Sequence, residues 1–230
     1  MEAIILAGGK GTRLHSIISS VPKPMAPING RPFLELIMQQ LSDYSFERII
    51  LSTGHLGDVI QAHFGPKFKN IDIIYINEPA PLGTGGAVKE AMQACQEDHV
   101  YIINGDSFQL VDFNEVEAYW QCNKNPIMIA AAVADTSRYG ALLIDKKQVI
   151  GFSEKGKTGS GYINSGYYVF NKTQIHLFPN QAVFSLEQDF LEKDIHLQHY
   201  DFFESKSSFI DIGIPEDYIK AQYYLHEFCQ

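Results

Sequence analysis

The chain has 230 residues, 45% of them apolar and 20% charged, which suits one soluble α/β domain with a sizeable core. Its formal charge of -9 argues against a general nucleic-acid surface, which would favour a basic stripe. Cys95, Cys122 and Cys229 are odd in number and lack metal-ligand spacing, so they read as ordinary reduced thiols.

Residues 3–6 form a short apolar run that reads as a buried strand. It empties into Gly8-Gly9-Lys10-Gly11-Thr12-Arg13-Leu14, and Pro22-Lys23-Pro24-Met25 follows. Three glycines let backbone N–H groups turn toward a phosphate chain, because no Cβ stands in the way. Thr12 adds a hydroxyl donor, and Arg13 and Lys23 add fixed positive charge. Two commoner glycine loops are excluded. Lys10 precedes Gly11 and no Lys-Ser or Lys-Thr pair follows, so this is not a kinase-type P-loop; Leu14 holds the third glycine position of the dinucleotide fingerprint.

Pro32 is placed as the first residue of a helix whose apolar face is Phe33, Leu34, Ile37, Met38 and Leu41. Strands are expected at 48–53, 71–77, 100–104 and 127–134, and helices at 56–64, 84–95 and 112–123. This alternation implies a mostly parallel sheet. The run 127–134 is the longest apolar stretch and is far too short for a membrane span. The start, with Glu2 and glycines after Leu6, does not suit a signal peptide, so the chain is expected to be cytoplasmic. In the second half, 141–144 and 149–152 flank a turn and read as a hairpin. Residues 156–161 form a small polar loop, 162–170 a strand and 185–192 a short helix, and Pro215 opens a terminal helix. One domain is expected, with residues up to about 135 as its nucleotide part and about 136–230 as a smaller β portion and last helix. The aromatic residues Phe202, Phe203, Tyr218, Tyr223, Tyr224 and Phe228 are expected in the core or in a subunit contact, such as a homodimer would make.

Asn104-Gly105-Asp106 ends the fourth strand, so Asp106 points where the phosphate loop points, beyond the carboxyl ends of the strands. Asp211 interrupts the apolar stretch Phe209-Ile210-Asp211-Ile212-Gly213. Two carboxylates meeting a triphosphate would hold Mg²⁺; taken singly, Asp106 could cap a turn and Asp211 could be an edge residue.

The pair G-G-x-G-T-R-L and P-K-P-M resembles the signature of the sugar-1-phosphate nucleotidyltransferases, and the likeness runs from Met1 to about Tyr218. The extension Ala26-Pro27-Ile28-Asn29-Gly30-Arg31-Pro32-Phe33-Leu34-Glu35 looks most like the D-glycero-D-manno-heptose 1-phosphate guanylyltransferases of that family, as does His15-Ser16-Ile17. The resemblance implies a Rossmann-like mixed, mostly parallel sheet flanked by helices. It implies transfer of a nucleotidyl group from an NTP to a sugar 1-phosphate, with Mg²⁺, for surface glycan assembly. Mannose 1-phosphate guanylyltransferases and N-acetylmuramate 1-phosphate uridylyltransferases are similar alternatives. A non-catalytic nucleotide-sugar-binding member would tend to lose the charged motif residues, all of which are present here.

By resemblance, Arg13 and Lys23 are catalytic, and Leu6, Ala7, Gly8, Gly9, Gly11, Thr12 and Arg13 bind the nucleotide with Glu78, Pro81, Gly83 and Thr84. Asp106 and Asp211 take the metal. Asn104, Gly140, Glu154, Lys155, Asn164 and Glu187 line the sugar-phosphate pocket. Glu78 falls where relatives read the base edge. A carboxylate accepts both N1–H and N2–H₂ of guanine, whereas uracil suits Gln or Asn better, so GTP is expected. Glu78 could otherwise be a solvated loop residue, and Glu187 could serve the N-terminus of its helix. Gln188 stands where the family's S-[LF]-E-K-D stretch has lysine.

Overall fold

A computed structural model describes residues 1–9, 11, 14, 18 and 21–229. The expectations for Lys10, Thr12, Arg13 and His15-Ser16-Ile17 lie outside the described residues.

Strand β1 (Glu2–Ala7) shows how the layers arise. Ala3, Ile5 and Ala7 point into one buried core and Ile4 into a second on the opposite face of the sheet, with Leu6 packed against it. Strands β4 (Arg48–Thr53), β6 (Ile71–Asn77) and β7 (His99–Asn104) join β1 in a parallel block of order β7-β1-β4-β6. The chain runs from β1 out through β4 to β6, then returns to β7 on the other side of β1. That reversal leaves a crevice beyond the carboxyl ends of β1 and β7.

Helix α1 (Phe33–Ser42) buries Phe33, Leu34, Ile37, Met38 and Leu41, together with Leu36 and Gln40. Pro32 is extended (ψ 139°) and precedes the helix instead of opening it, because it pairs with Pro27 across the small hairpin of β2 (Pro27–Ile28) and β3 (Arg31–Pro32). Helix α2 (Gly57–Phe64) begins one residue after Leu56, which is left-handed at φ 61°. A two-residue strand, β5 (Lys67–Phe68), lines the far edge of β6. Helix α3 (Gly83–Met92) packs Val88, Ala91 and Met92 into the second core, while α4 (Phe113–Asn123) places Phe113, Val116 and Trp120 in the first. Asp112 caps α4, its carboxylate accepting from the amides of Asn114 and Glu115 at 3.0 and 3.1 Å.

The second half of the chain extends the same sheet. Strand β9 (Ile127–Val133) is separated from β7 by the long antiparallel β12 (Gly161–Asn171), and β13 (Tyr200–Ser205) lies parallel on β9. The hairpin β10 (Leu142–Asp145) and β11 (Gln148–Phe152) completes ten strands. Lys146 and Lys147, at φ 46° and 67°, supply its two-residue turn without a glycine. The expected helix at 185–192 is a single π-type turn, Leu186–Leu191, capped by Ser185 and running into α5 (Glu192–Asp194). Strand β13 was not expected: Asp201 and Glu204 interrupt its aromatic run, yet Tyr200 and Asp201 are buried. Helix α6 (Pro215–Tyr224) starts with Pro215 as expected, burying Tyr218 and Ala221 and leaving Tyr223 and Tyr224 exposed.

Candidate active site

A cleft of about 500 Å³ opens at the crevice between β1 and β7. Leu6, Gly8, Gly9, Lys23, Glu78, Pro81, Gly83, Thr84, Asn104 and Asp106 line it, so residues expected to serve one site come together from four separate stretches of the chain. The amide of Gly105 bonds the carbonyl of Leu6 at 3.0 Å, and a Cβ on Gly105 would lie 2.5 Å from that carbonyl oxygen. The two strand ends meet this closely because residue 105 has no side chain. Ala7 does not line the cleft; its side chain is buried in the first core. Gly11, at φ 59°, brings the loop against Lys23: a Cβ there would sit 2.8 Å from the Cβ of Lys23.

Lys23 is held by a short 3-10 turn, Lys23–Met25, between two prolines. Its ammonium bonds Asp106 at 2.6 Å and lies 4.0 Å from Asp211. A small two-stranded sheet brings the carboxylates together across half the chain: β8 (Ser107–Gln109) pairs with β14 (Phe209–Asp211), setting Asp211 opposite Ser107. The amide of Ile212 then bonds the carbonyl of Asp106 at 3.0 Å. Burial, and next the charge of Asp106, hold the Asp211 carboxyl above the usual carboxylate range, while Lys23 opposes them. Two carboxylates brought to one ammonium are a hard-oxygen set that a divalent cation would suit. Among the described residues no third Asp, Glu, His or Cys joins them, so phosphate oxygens or waters would complete such a site.

Glu78 is anchored rather than solvated. Ser52 donates to its Oε1 at 2.9 Å, and the amide of Leu82 donates to its Oε2 at 3.1 Å. A second cavity of about 350 Å³, shared with Gly8 and Pro81, lies on its other side. Gly83 and Thr84 also serve local packing. The missing Cβ of Gly83 makes room for the carbonyl of Phe184, 2.5 Å from where it would stand. Thr84 receives the amide of Leu186 at 2.8 Å and donates to Glu187 at 2.9 Å. Both line the cleft, but their local chemistry fastens α3 to the 182–187 segment.

Of the residues expected to bind the sugar phosphate, Asn164 donates to the hydroxyl of Tyr168 at 2.7 Å, and Tyr168 donates to Glu187 at 3.4 Å. Burial, then the charge of Glu187, keeps the Tyr168 phenol well above its ordinary pKa, so it remains a neutral donor. Glu187 does occupy the first turn of its π-type helix, yet its carboxylate is engaged by Thr84, Ser185 and Tyr168. Asn104 leaves its buried side-chain carbonyl oxygen without a protein partner at the wall of the cleft. Gly140, at φ 78°, abuts the Ser153 carbonyl and the stem of Lys155, which places the Glu154-Lys155 turn beside it. The preceding residues tie this turn to β14 and α6: Tyr139 packs edge-on to Phe209 at 5.6 Å, and Arg138 pairs with Asp217 of α6.

Sequence reasoning missed Ser52, Tyr168 and Arg138. Ser52 carried a signal, since it and Thr53 are hydroxyl residues that end a strand after the apolar run Ile49-Ile50-Leu51. Arg138 carried none, since its partner Asp217 lies far off along the chain, and Tyr168 reads as one more aromatic residue of a buried strand.

The family model for nucleotidyl transferases matches residues 2–227. The chain belongs to the nucleotidyl transferase family. It is 42% identical over 99% of its length to the whole of a D-glycero-alpha-D-manno-heptose 1-phosphate guanylyltransferase from Aneurinibacillus thermoaerophilus. It is 40% identical over 95% of its length to 97% of another from Campylobacter jejuni. HddC from Yersinia pseudotuberculosis, solved in complex with GMP-PN, superposes with a TM-score of 0.85 at 39% identity, covering 97% of this chain and 99% of that one. In this member of the nucleotidyl transferase family, the ten-stranded mixed sheet is the frame on which the cleft is built.

Proposed function

We propose that this protein transfers a guanylyl group from GTP to D-glycero-α-D-manno-heptose 1-phosphate, forming GDP-heptose and pyrophosphate. The observation that carries the reaction is one cleft holding a buried ammonium, Lys23, at one part of its wall and an anchored two-oxygen acceptor, Glu78, at another. The ammonium suits phosphates and the acceptor suits the two adjacent donors of guanine. The sugar follows from near full-length likeness to heptose 1-phosphate guanylyltransferases.

The chemistry is in-line displacement. A phosphate oxygen of the sugar 1-phosphate bonds to the α-phosphorus, and the bond from that phosphorus to the bridging oxygen of pyrophosphate breaks. A dianion approaching a tetra-anion meets strong repulsion, so the protein supplies positive charge and alignment rather than a nucleophile. Lys23 neutralises charge between the α-phosphate and the sugar phosphate. The amides of Gly8, Gly9 and Gly11, with Arg13 and Thr12 by family resemblance, receive the departing pyrophosphate. Asp106 and Asp211 would hold Mg²⁺, which when bound would screen the phosphate charge. Asn104, Gly140, Glu154, Lys155, Asn164 and Glu187 would form the sugar side.

Mixing the protein with GTP, heptose 1-phosphate and Mg²⁺ should give GDP-heptose by mass spectrometry. Chelation with EDTA should stop it and added Mg²⁺ restore it; turnover that survives EDTA would contradict the metal assignment. Product from mannose 1-phosphate or from UTP in preference would contradict the substrate assignment.

A further inference from the structure

We infer that Ser52 is a positioning residue for base selection, acting through Glu78. Ser52 is fully buried near the carboxyl end of β4, beside Leu6 of β1 in register. It lies behind the cleft wall, bonded to Glu78, which lines the cleft. Its hydroxyl donates to Glu78 Oε1 at 2.9 Å, and the Leu82 amide donates to Oε2 at 3.1 Å. Gly8 closes the third side: a Cβ there would lie 2.6 Å from the same Oε1. The carboxylate is therefore gripped at both oxygens and pressed against backbone, with one lone pair on each oxygen still free to accept.

That arrangement matters because reading guanine requires two parallel bonds, to N1–H and to N2–H₂. A glutamate free to rotate about its side-chain bonds would lose that alignment and would have to be ordered by the ligand itself. Removing the Ser52 hydroxyl frees Oε1 while leaving the acceptor in place, so discrimination weakens although the reading group remains. The inference rests on Glu78 being the base reader, and the test separates the two.

Ser52→Ala, Glu78→Gln and the double variant would be assayed with GTP and with ITP, whose base lacks the 2-amino group, and their melting temperatures compared with wild type. In Ser52→Ala, the preference for GTP over ITP in kcat/KM should fall by about tenfold, chiefly through KM for GTP. The loss should be absent when Ser52→Ala is added to Glu78→Gln, since the residue acts only through that carboxylate. Where Ser52→Ala fails to fold, Ser52→Cys, of similar size and a weak donor, is read by the same ratio. An unchanged ratio in a folded Ser52 variant, with a changed one in Glu78→Gln, would overturn the inference and leave the base reader standing. An unchanged ratio in both would overturn the base reader and the inference with it. A loss that persists in the double variant would also overturn it.

Discussion

Lys23 carries its charge in a confined place, with a tenth of its side chain exposed and two carboxylates within 4.0 Å. The prolines on either side leave the backbone little freedom to re-aim it. Replacing Lys23 by Ala should lower kcat by about 10²–10³, on the order of 3–4 kcal/mol of barrier, as for other preorganised donors to developing negative charge. Steady-state turnover would check it, and wild-type kcat in that variant would remove Lys23 from the chemistry. Asp211 was legible in the sequence as a charge inside an apolar strand, and Asp106 as the end of a strand aimed at the loop. Their approach to one ammonium was not legible, because it depends on β8 and β14 pairing across a separation of about half the chain.

Helix α3 shows how one motif serves two purposes. Gly83 is expected from the family resemblance to bind nucleotide, yet the missing side chains of Gly83, Gly85 and Gly86 each make space for the 182–186 segment. A Cβ on Gly86 would stand 2.3 Å from the carbonyl oxygen of Ala182, and one on Gly85 would stand 2.2 Å from the ring of Phe184. Gly86→Ala meets backbone that cannot swing aside, so it should destabilise the protein by roughly 1–3 kcal/mol, within the range for overpacking. A denaturant midpoint shifted down at unchanged slope would show this; an unshifted midpoint would mean that the segment yields. No local pattern could reveal this function of the glycines, since their partners lie about a hundred positions later. The strands and helices of the first half were legible because their periodicities are strong. The strand at Tyr200–Ser205 was hidden by Asp201 and Glu204, charges that a simple alternation does not anticipate; the buried Asp201 is met by His199 at 2.7 Å and by Asn125 at 3.3 Å.

Across the whole molecule, the site occupies one end of the sheet and a separate polar anchor secures the other. Glu2, nearly fully buried, pairs with Arg48 of β4 and accepts from the amides of Gln96 and Glu97 at 2.7 and 2.9 Å. It joins β1, β4 and the connection from α3 to β7 at the base of the parallel block. Glu2→Ala would leave the Arg48 guanidinium without its carboxylate, costing about 3 kcal/mol of stability. Thermal or chemical denaturation would register the loss, while kcat of the folded fraction should stay near wild type. A loss of kcat at unchanged stability would mean that this end is coupled to the cleft.

Direct transfer at the β1–β7 cleft makes a sharp demand on isotope exchange. Labelled pyrophosphate would be incubated with the protein, GTP and Mg²⁺, first without and then with heptose 1-phosphate. Without the sugar phosphate no label should enter GTP, because no guanylyl-enzyme forms; once it is added, label should appear in GTP as the reaction runs in both directions. Exchange in the absence of sugar phosphate would demonstrate a covalent guanylyl-enzyme and contradict in-line displacement, and silence in both mixtures would contradict guanylyl transfer to this sugar.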